Sequence, residues 1–299
     1  MNSRRVVALV WIALAAACGA RTGLLAPESE DASQPDVKHD VHDAIAEDVH
    51  EEDAQEEDVV FPDVPIISDC PDAGDTLVYV LGSQRELYSF YPPTLTFKSI
   101  GTIGCPTASN PNSMAVTRSG IAFTNFASGE LFEVSTANAA CKSTPYKANQ
   151  LGWTTYGMGY SGNADGGETL YVSGFSSQGL GMIDTTSFTL VPVGQYQPNE
   201  QFPCELTGTG DGKLYGFCPF GSGAWFHEID PQTAKILSSH QLSTGGKAFA
   251  WAFAFWGGDF WLFLNGNVTK YDPITQTETS MTQAPIQIVG AGVSTCAPL

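Results

Sequence analysis

The chain has 299 residues, 42% hydrophobic and 11% aromatic, which is ample for one large or two ordinary domains with a real core. Its formal net charge of −19 and sequence pI near 4.4 exclude a nucleic-acid-binding surface, which needs clustered Lys and Arg. The acid is unevenly spread: 16 of the 32 Asp and Glu lie in residues 28–69, where Lys38 is the sole base, whereas residues 71–299 hold 16 acids and 9 bases for a net of −7.

Arg4 and Arg5 precede an apolar run over residues 6–17. Twelve residues suit the core of a signal peptide and fall short of the roughly 20 needed to span a bilayer. Ala15, Ala16 and Ala17 lead into Cys18, and the segment resembles a bacterial lipobox. The resemblance implies a signal peptide over 1–17, lipidation of Cys18, and a membrane partner reached through that lipid. Gly19 after the cysteine implies the outer membrane, so the expected location is the bacterial cell envelope as an outer-membrane lipoprotein. Residues 18–69 are then a lipidated N-terminus and a linker. Asp, Glu, Val, His and Pro recur loosely through its acidic part. Such a segment buries too little apolar surface to offset its chain entropy, and its like charges repel, so it reads as a disordered acidic tether. His39, His42 and His50 within it read as part of a solvated spacer.

From residue 70 the text repeats. Aligning Phe90, Val134, Ile183, Ile229 and Tyr271 gives spacings of 44, 49, 46 and 42 residues, the period of propeller blades. Each marks a strand, at 87–91, 131–135, 181–184, 226–230 and 269–272. A further strand precedes each one, at 77–80, 121–124, 170–173, 214–217 and 260–263, and every one of these follows a glycine-bearing turn. Innermost strands are read at 114–116, 156–160, 205–208, 251–255 and 288–293, where large residues alternate with Ala or Gly, as strands converging on a narrow axis require. The last has no strand after it, and the first unit lacks an inner strand. The predicted fold is therefore all-β: a five-bladed β-propeller over 70–299, closed by pairing of its N- and C-terminal strands. The apolar stretch 251–264 is interrupted by Gly257-Gly258-Asp259 and reads as a hairpin, not a membrane span.

Six cysteines remain once Cys18 is set aside, in a compartment that permits disulfides. A three-residue loop Gly210-Asp211-Gly212 sets Thr209 opposite Lys213 and, counting outward, Cys204 opposite Cys218. Ring closure brings Cys70 to Cys296, leaving Cys105 for Cys141. CxxC metal spacing is absent, and no metal or cofactor is expected.

No GxSxG, HExxH, Walker loop or helix-opening GxGxxG occurs. Glu205 is the one weak catalytic candidate, because its inner strand lies close to the axis; no second carboxylate can be placed beside it, so a two-carboxylate glycosidase is unsupported. His227 and His240 read as structural or surface residues. Asp165 and Asp211 resemble fragments of calcium loops and read as turn residues, and Asp184, Asp230 and Asp272 share one repeat position that implies turn capping. The connections 104–112, 145–155, 195–203 and 243–250 gather on one face around the axis. From them and the adjoining strands, Asn112, Trp153, Tyr156, Tyr196, Glu205, Lys247 and Trp251 are the ligand-binding candidates, a set suited to a glycan or a protein.

LYGF with HEIDPQTAKI, and VTKYDPITQTET, resemble the repeats of pyrroloquinoline-quinone-type and YVTN-type bacterial propellers, over roughly residues 75–296. The tryptophan dockings and metal ligands of a quinoprotein are missing, so the cofactor does not carry over. Lipobox, acidic tether and cysteine-bearing propeller together resemble a group of bacterial surface lipoproteins, which implies envelope location. The reading is a monomeric binding module more than an enzyme; the alternative is a hydrolase or lyase acting on a glycan or lactone near Glu205.

Overall fold

The computed structural model of the chain describes residues 70, 74, 76–175, 178–196, 203–220, 223–245 and 248–299. The signal segment, Cys18, the tether and Lys247 lie outside the described residues.

Among the described residues twenty strands form five antiparallel four-stranded sheets. The first comprises β1 (Val78–Gly82), β2 (Glu86–Tyr91), β3 (Thr96–Thr102) and β20 (Ile288–Val293), in the order β20-β1-β2-β3. The second runs β4 (Pro111–Val116), β5 (Ile121–Phe126), β6 (Leu131–Ser135) and β7 (Cys141–Ser143). The third is β8 (Tyr156–Gly162), β9 (Glu168–Gly174), β10 (Leu180–Asp184) and β11 (Thr189–Gly194). The fourth is β12 (Glu205–Gly208), β13 (Leu214–Phe220), β14 (Gly223–Ile229) and β15 (Ile236–Leu242). The fifth is β16 (Trp251–Trp256), β17 (Asp259–Leu264), β18 (Asn267–Asp272) and β19 (Thr277–Gln283). Inner strands β4, β8, β12, β16 and β20 contact one another in that order and close back on β4. The molecule is a five-bladed propeller, and β20 completes the first blade by pairing Val293 with Val78 and Ala291 with Val80.

Local sequence explains the turns. Between inner and second strands, the loops ending at Gly120, Gly166 and Gly212 hold those glycines at φ 75°, 84° and 88°, and Gly257-Gly258 form a two-residue loop at 65° and 81°. The first blade has no such hairpin, because its inner strand arrives from the other end of the chain. Between third and outer strands, Leu95, Ala139, Phe188, Ala234 and Gln276 all adopt φ of 55–60° at the same repeat position. Five non-glycine residues in this region need support. In three blades an aspartate supplies it: Oδ1 of Asp184, Asp230 and Asp272 accepts the amides of Thr186, Gln232 and Ile274 at 2.8–2.9 Å. Asp165 likewise accepts the Gly167 amide at 2.9 Å, while Asp211 is engaged by the Thr209 hydroxyl and Lys213, so both are turn residues.

Among the described residues the core is five clusters, one in each gap between neighbouring blades. The gap between the fourth and fifth blades is aromatic, with Phe226 and Phe260 centroids 4.6 Å apart. Met158 and Phe253 belong to these inter-blade layers. Around the axis, neighbouring inner strands meet main chain to main chain. A Cβ on Gly157 would overlap the Cys204 carbonyl oxygen, one on Gly159 would stand 2.6 Å from the Leu206 carbonyl carbon, and one on Gly290 2.9 Å from the Met114 nitrogen. Small residues on the inner strands are thus required by the approach of the next strand's main chain.

Three disulfides join Cys70 to Cys296, Cys105 to Cys141 and Cys204 to Cys218. The fourth-blade hairpin has the predicted register, with Glu205 opposite Phe217 and Gly208 opposite Leu214. Inner strand β4 starts at Pro111, three residues before the predicted start, because a bulge between Pro111 and Ser113 keeps it paired with β5.

Gly157→Ala is expected to cost about 3 kcal/mol, since the β12 main chain must move. At Gly104 a Cβ would meet nothing within 4 Å, so Gly104→Ala should change stability by less than about 0.5 kcal/mol. Denaturant unfolding of both variants measures the contrast, and equal effects would contradict this account of the axis.

Candidate functional site

The five inner strands contain a single charged residue, Glu205, the first residue of β12. It is 2% exposed, and a buried carboxyl needs partners. Ser113 supplies one from across the axis, since β4 and β12 flank β8 on opposite sides. Its hydroxyl donates to Glu205 Oε2 at 2.6 Å while its Oγ accepts the Met158 amide at 3.0 Å. Three blades are thereby tied at one point. Burial pushes the Glu205 carboxyl well above the ordinary carboxylate range, with the Ser113 hydroxyl and the Met158 amide opposing that shift. The environment favours the protonated acid.

Glu205 also lines a cavity of about 170 Å³ at the end of the axis where β4, β12, β16 and β20 begin. Asn112, Phe175, Phe249, Trp251 and Val289 line it too. Phe175 follows β9, and its ring lies 6.0 Å from that of Trp251 at 30°. Phe249 is 75% exposed. Asn112 is fixed by its Nδ2, which donates to Asn125 Oδ1 at 3.1 Å and to the Tyr156 carbonyl at 3.0 Å. The Trp251 indole nitrogen is buried without a hydrogen-bond partner. Glu205 is the one titratable group among the described lining residues. The arrangement offers aromatic surface and hydrogen-bond acceptors, with no acid–base pair.

Three of the sequence-predicted residues therefore meet at this cavity: Asn112, Glu205 and Trp251. Trp153, Tyr156 and Tyr196 do not line it. Trp153 and Tyr156 fill the core between the second and third blades, and burial holds the Tyr156 phenol well above its ordinary range. Tyr196 packs between the third and fourth blades, where its hydroxyl donates to Ser173 Oγ at 2.8 Å. Ser113, Phe175 and Phe249 belong to the site and were not among the predicted residues. A serine inside an inner strand and an unpaired phenylalanine beside the 251–256 run are the signals that point to two of them.

The histidines stand elsewhere. His227 on β14 pairs its Nδ1 with Ser239 Oγ at 2.8 Å, and burial lowers its pKa to about 4. His240 stacks on Tyr271 with centroids 5.6 Å apart. Among the described residues no group of three or more His, Cys, Asp or Glu is disposed to hold a metal ion.

No family model and no curated protein matches the chain. Several solved structures align with part of it. Hydrazine synthase of Kuenenia stuttgartiensis aligns with a TM-score of 0.43 and 13% identity over 68% of this chain and 64% of that one. An auxiliary nutrient binding protein from Bacteroides thetaiotaomicron gives 0.43 and 11% over 69% and 54%. A protein from Bacteroides caccae gives 0.39 and 14% over 70% and 73%. The chain spans less than two thirds of the first two.

A carboxyl whose folded pKa is raised stays protonated in the fold after the unfolded chain has ionised. Stability from this group is therefore greatest below the unfolded value of about 4.3 and falls as pH rises above it, until the folded carboxyl itself ionises. Glu205→Gln keeps an acceptor for Ser113 and removes that slope. Relative to the native protein the variant should be similar at pH 4 and increasingly more stable toward pH 8 in denaturant unfolding, and His227, whose slope runs the other way, cancels from the difference. A variant less stable at pH 8 than at pH 4, relative to native, would show that the buried carboxyl is an ion.

Proposed function

We propose that the chain is a lipid-anchored, monomeric propeller of the bacterial envelope that acts as a binding module, presenting the axial cavity to a glycan or protein ligand. The observation that carries the binding reading is the convergence of Asn112, Phe175, Glu205, Phe249 and Trp251 at one end of the axis. Aromatic faces around a few fixed polar groups are the usual composition of a recognition site. A hydrolase or lyase near Glu205 asks for a second acid–base group, and Ser113, a hydroxyl already shared with Met158, is what faces Glu205. Anchoring rests on the run of residues 6–17 and Cys18. The acidic segment that follows fits a tether holding the propeller off the membrane.

Two measurements test this reading. The Cys18→Ala protein should appear in the soluble fraction and lose palmitate labelling; retention on membranes would contradict the anchor. An array of envelope glycans and proteins probed with the full chain should yield a ligand whose binding drops about tenfold or more in Trp251→Ala. Binding indifferent to Trp251 would move the site away from the axis.

A further inference from the structure

The chemistry of the axial cavity narrows what it takes. Its polar complement is the Glu205 carboxyl, the Trp251 indole N–H, and the side-chain oxygen of Asn112, whose donor nitrogen is already spent on Asn125 and Tyr156. Its apolar complement consists of aromatic faces, Phe175 and Trp251 side by side and Phe249 at the exposed rim. Basic residues are absent from the described lining. Strand β9, which also packs on β12, carries Tyr171 and, at its far end opposite Gly162, Glu168. The other strands around Glu205, namely β4, β8, β13, β16 and β20, carry no acidic or basic residue. Their titrating side chains are Tyr156, Tyr160 and Tyr215, whose phenols burial holds above their ordinary range. Residues 71–299 are net acidic, with 16 acids against 9 bases. At about 170 Å³ the cavity is close in size to an engineered void of about 150 Å³ that holds benzene.

We propose that the axial cavity recognises a small organic cation, an ammonium or trimethylammonium head, seated against Phe175, Phe249 and Trp251 with its charge toward Glu205. The inference rests on the binding-module reading and specifies its ligand. Ring faces attract a cation through their quadrupole, most strongly when the charge is desolvated. A neutral sugar can donate to these oxygens but brings no charge to balance an ionised carboxyl, and an anion would meet it with like charge. Binding has a proton balance: the cation enters, the Glu205 acid gives its proton to solvent, and the carboxylate remains as counter-ion. Burial strengthens the hold of the empty site on that proton, and the ligand supplies the opposite charge that favours its release.

The test is calorimetric titration of the purified full-length protein with three cations and their uncharged counterparts. The pairs are choline with 3,3-dimethylbutan-1-ol, glucosamine with N-acetylglucosamine, and Nα-acetyl-lysine amide with its Nε-acetylated form. At least one cation should bind about tenfold or more tightly than its neutral counterpart, as a desolvated cation–aromatic contact allows. Its affinity should rise with pH and release a proton. Which pair shows the difference identifies the source as a quaternary ammonium, an amino sugar or a peptide amine. Phe249→Ala, a change at an exposed ring, should weaken that binding about tenfold, and Glu205→Gln should abolish its pH dependence. Equal binding of cation and counterpart, or tighter binding of N-acetylglucosamine, would overturn the cation while leaving a binding module in place. Absence of binding by all six would also overturn it, and the ligand array then decides the broader reading separately.

Discussion

Five strands have to meet around one axis, and the space there is too small for side chains on both faces. The inner strands approach until main chain touches main chain, which is why Gly157 lies against Cys204 and Gly290 against Met114. Everything outward follows from that approach. With the inner strands fixed, each blade fans out through β-hairpins, and the wedges between blades fill with five clusters of large apolar side chains. The ring holds only if it is complete, so the C-terminal strand must reach the first blade. The Cys70–Cys296 bond ties the segments beside that junction, and a loop of 226 residues places its contribution at about 5 kcal/mol in the chain-entropy model.

The same constraint produces the site. The inner strands pack main chain to main chain around the axis, and the cavity lies at the end where β4, β12, β16 and β20 begin and long connections arrive. Burying a carboxyl there is costly; burial shifts it toward the protonated form, and the Ser113 hydroxyl gives it a hydrogen-bond partner. For a purely structural role a glutamine in that position would serve as well as the carboxyl. Retaining an ionisable group next to aromatic faces makes chemical sense if something positively charged comes to it.

Local features were legible in the sequence because they depend on neighbours in the chain. Turn glycines, the Asp184, Asp230 and Asp272 caps and the Cys204–Cys218 register each need only a few nearby residues, and the blade period shows as the recurrence of such local features. Closure by residues 288–293 was legible for a different reason: a strand without a partner at one end matched a vacancy at the other. The axial contacts were not legible. Ser113 and Glu205 are 92 residues apart, and their meeting depends on how inner strands of different blades are staggered. Nor does a sequence state which loop aromatics turn inward. Trp153, Tyr156 and Tyr196 sit at the ends of connections just as Phe249 does, yet they plug the core while Phe249 stays outside. Burial of that kind is decided by the depth of the gap beneath each loop.

The central claim is that the ring is one cooperative unit closed by its last strand. Amide hydrogen exchange followed strand by strand tests this most directly. The account predicts that the amides of β20 are protected to the same free energy as those of β1 and β4, opening only with global unfolding. Exchange of β20 at a much lower free energy than its neighbours, with the other four blades still protected, would contradict it and make the ring an open arc with a loosely docked tail.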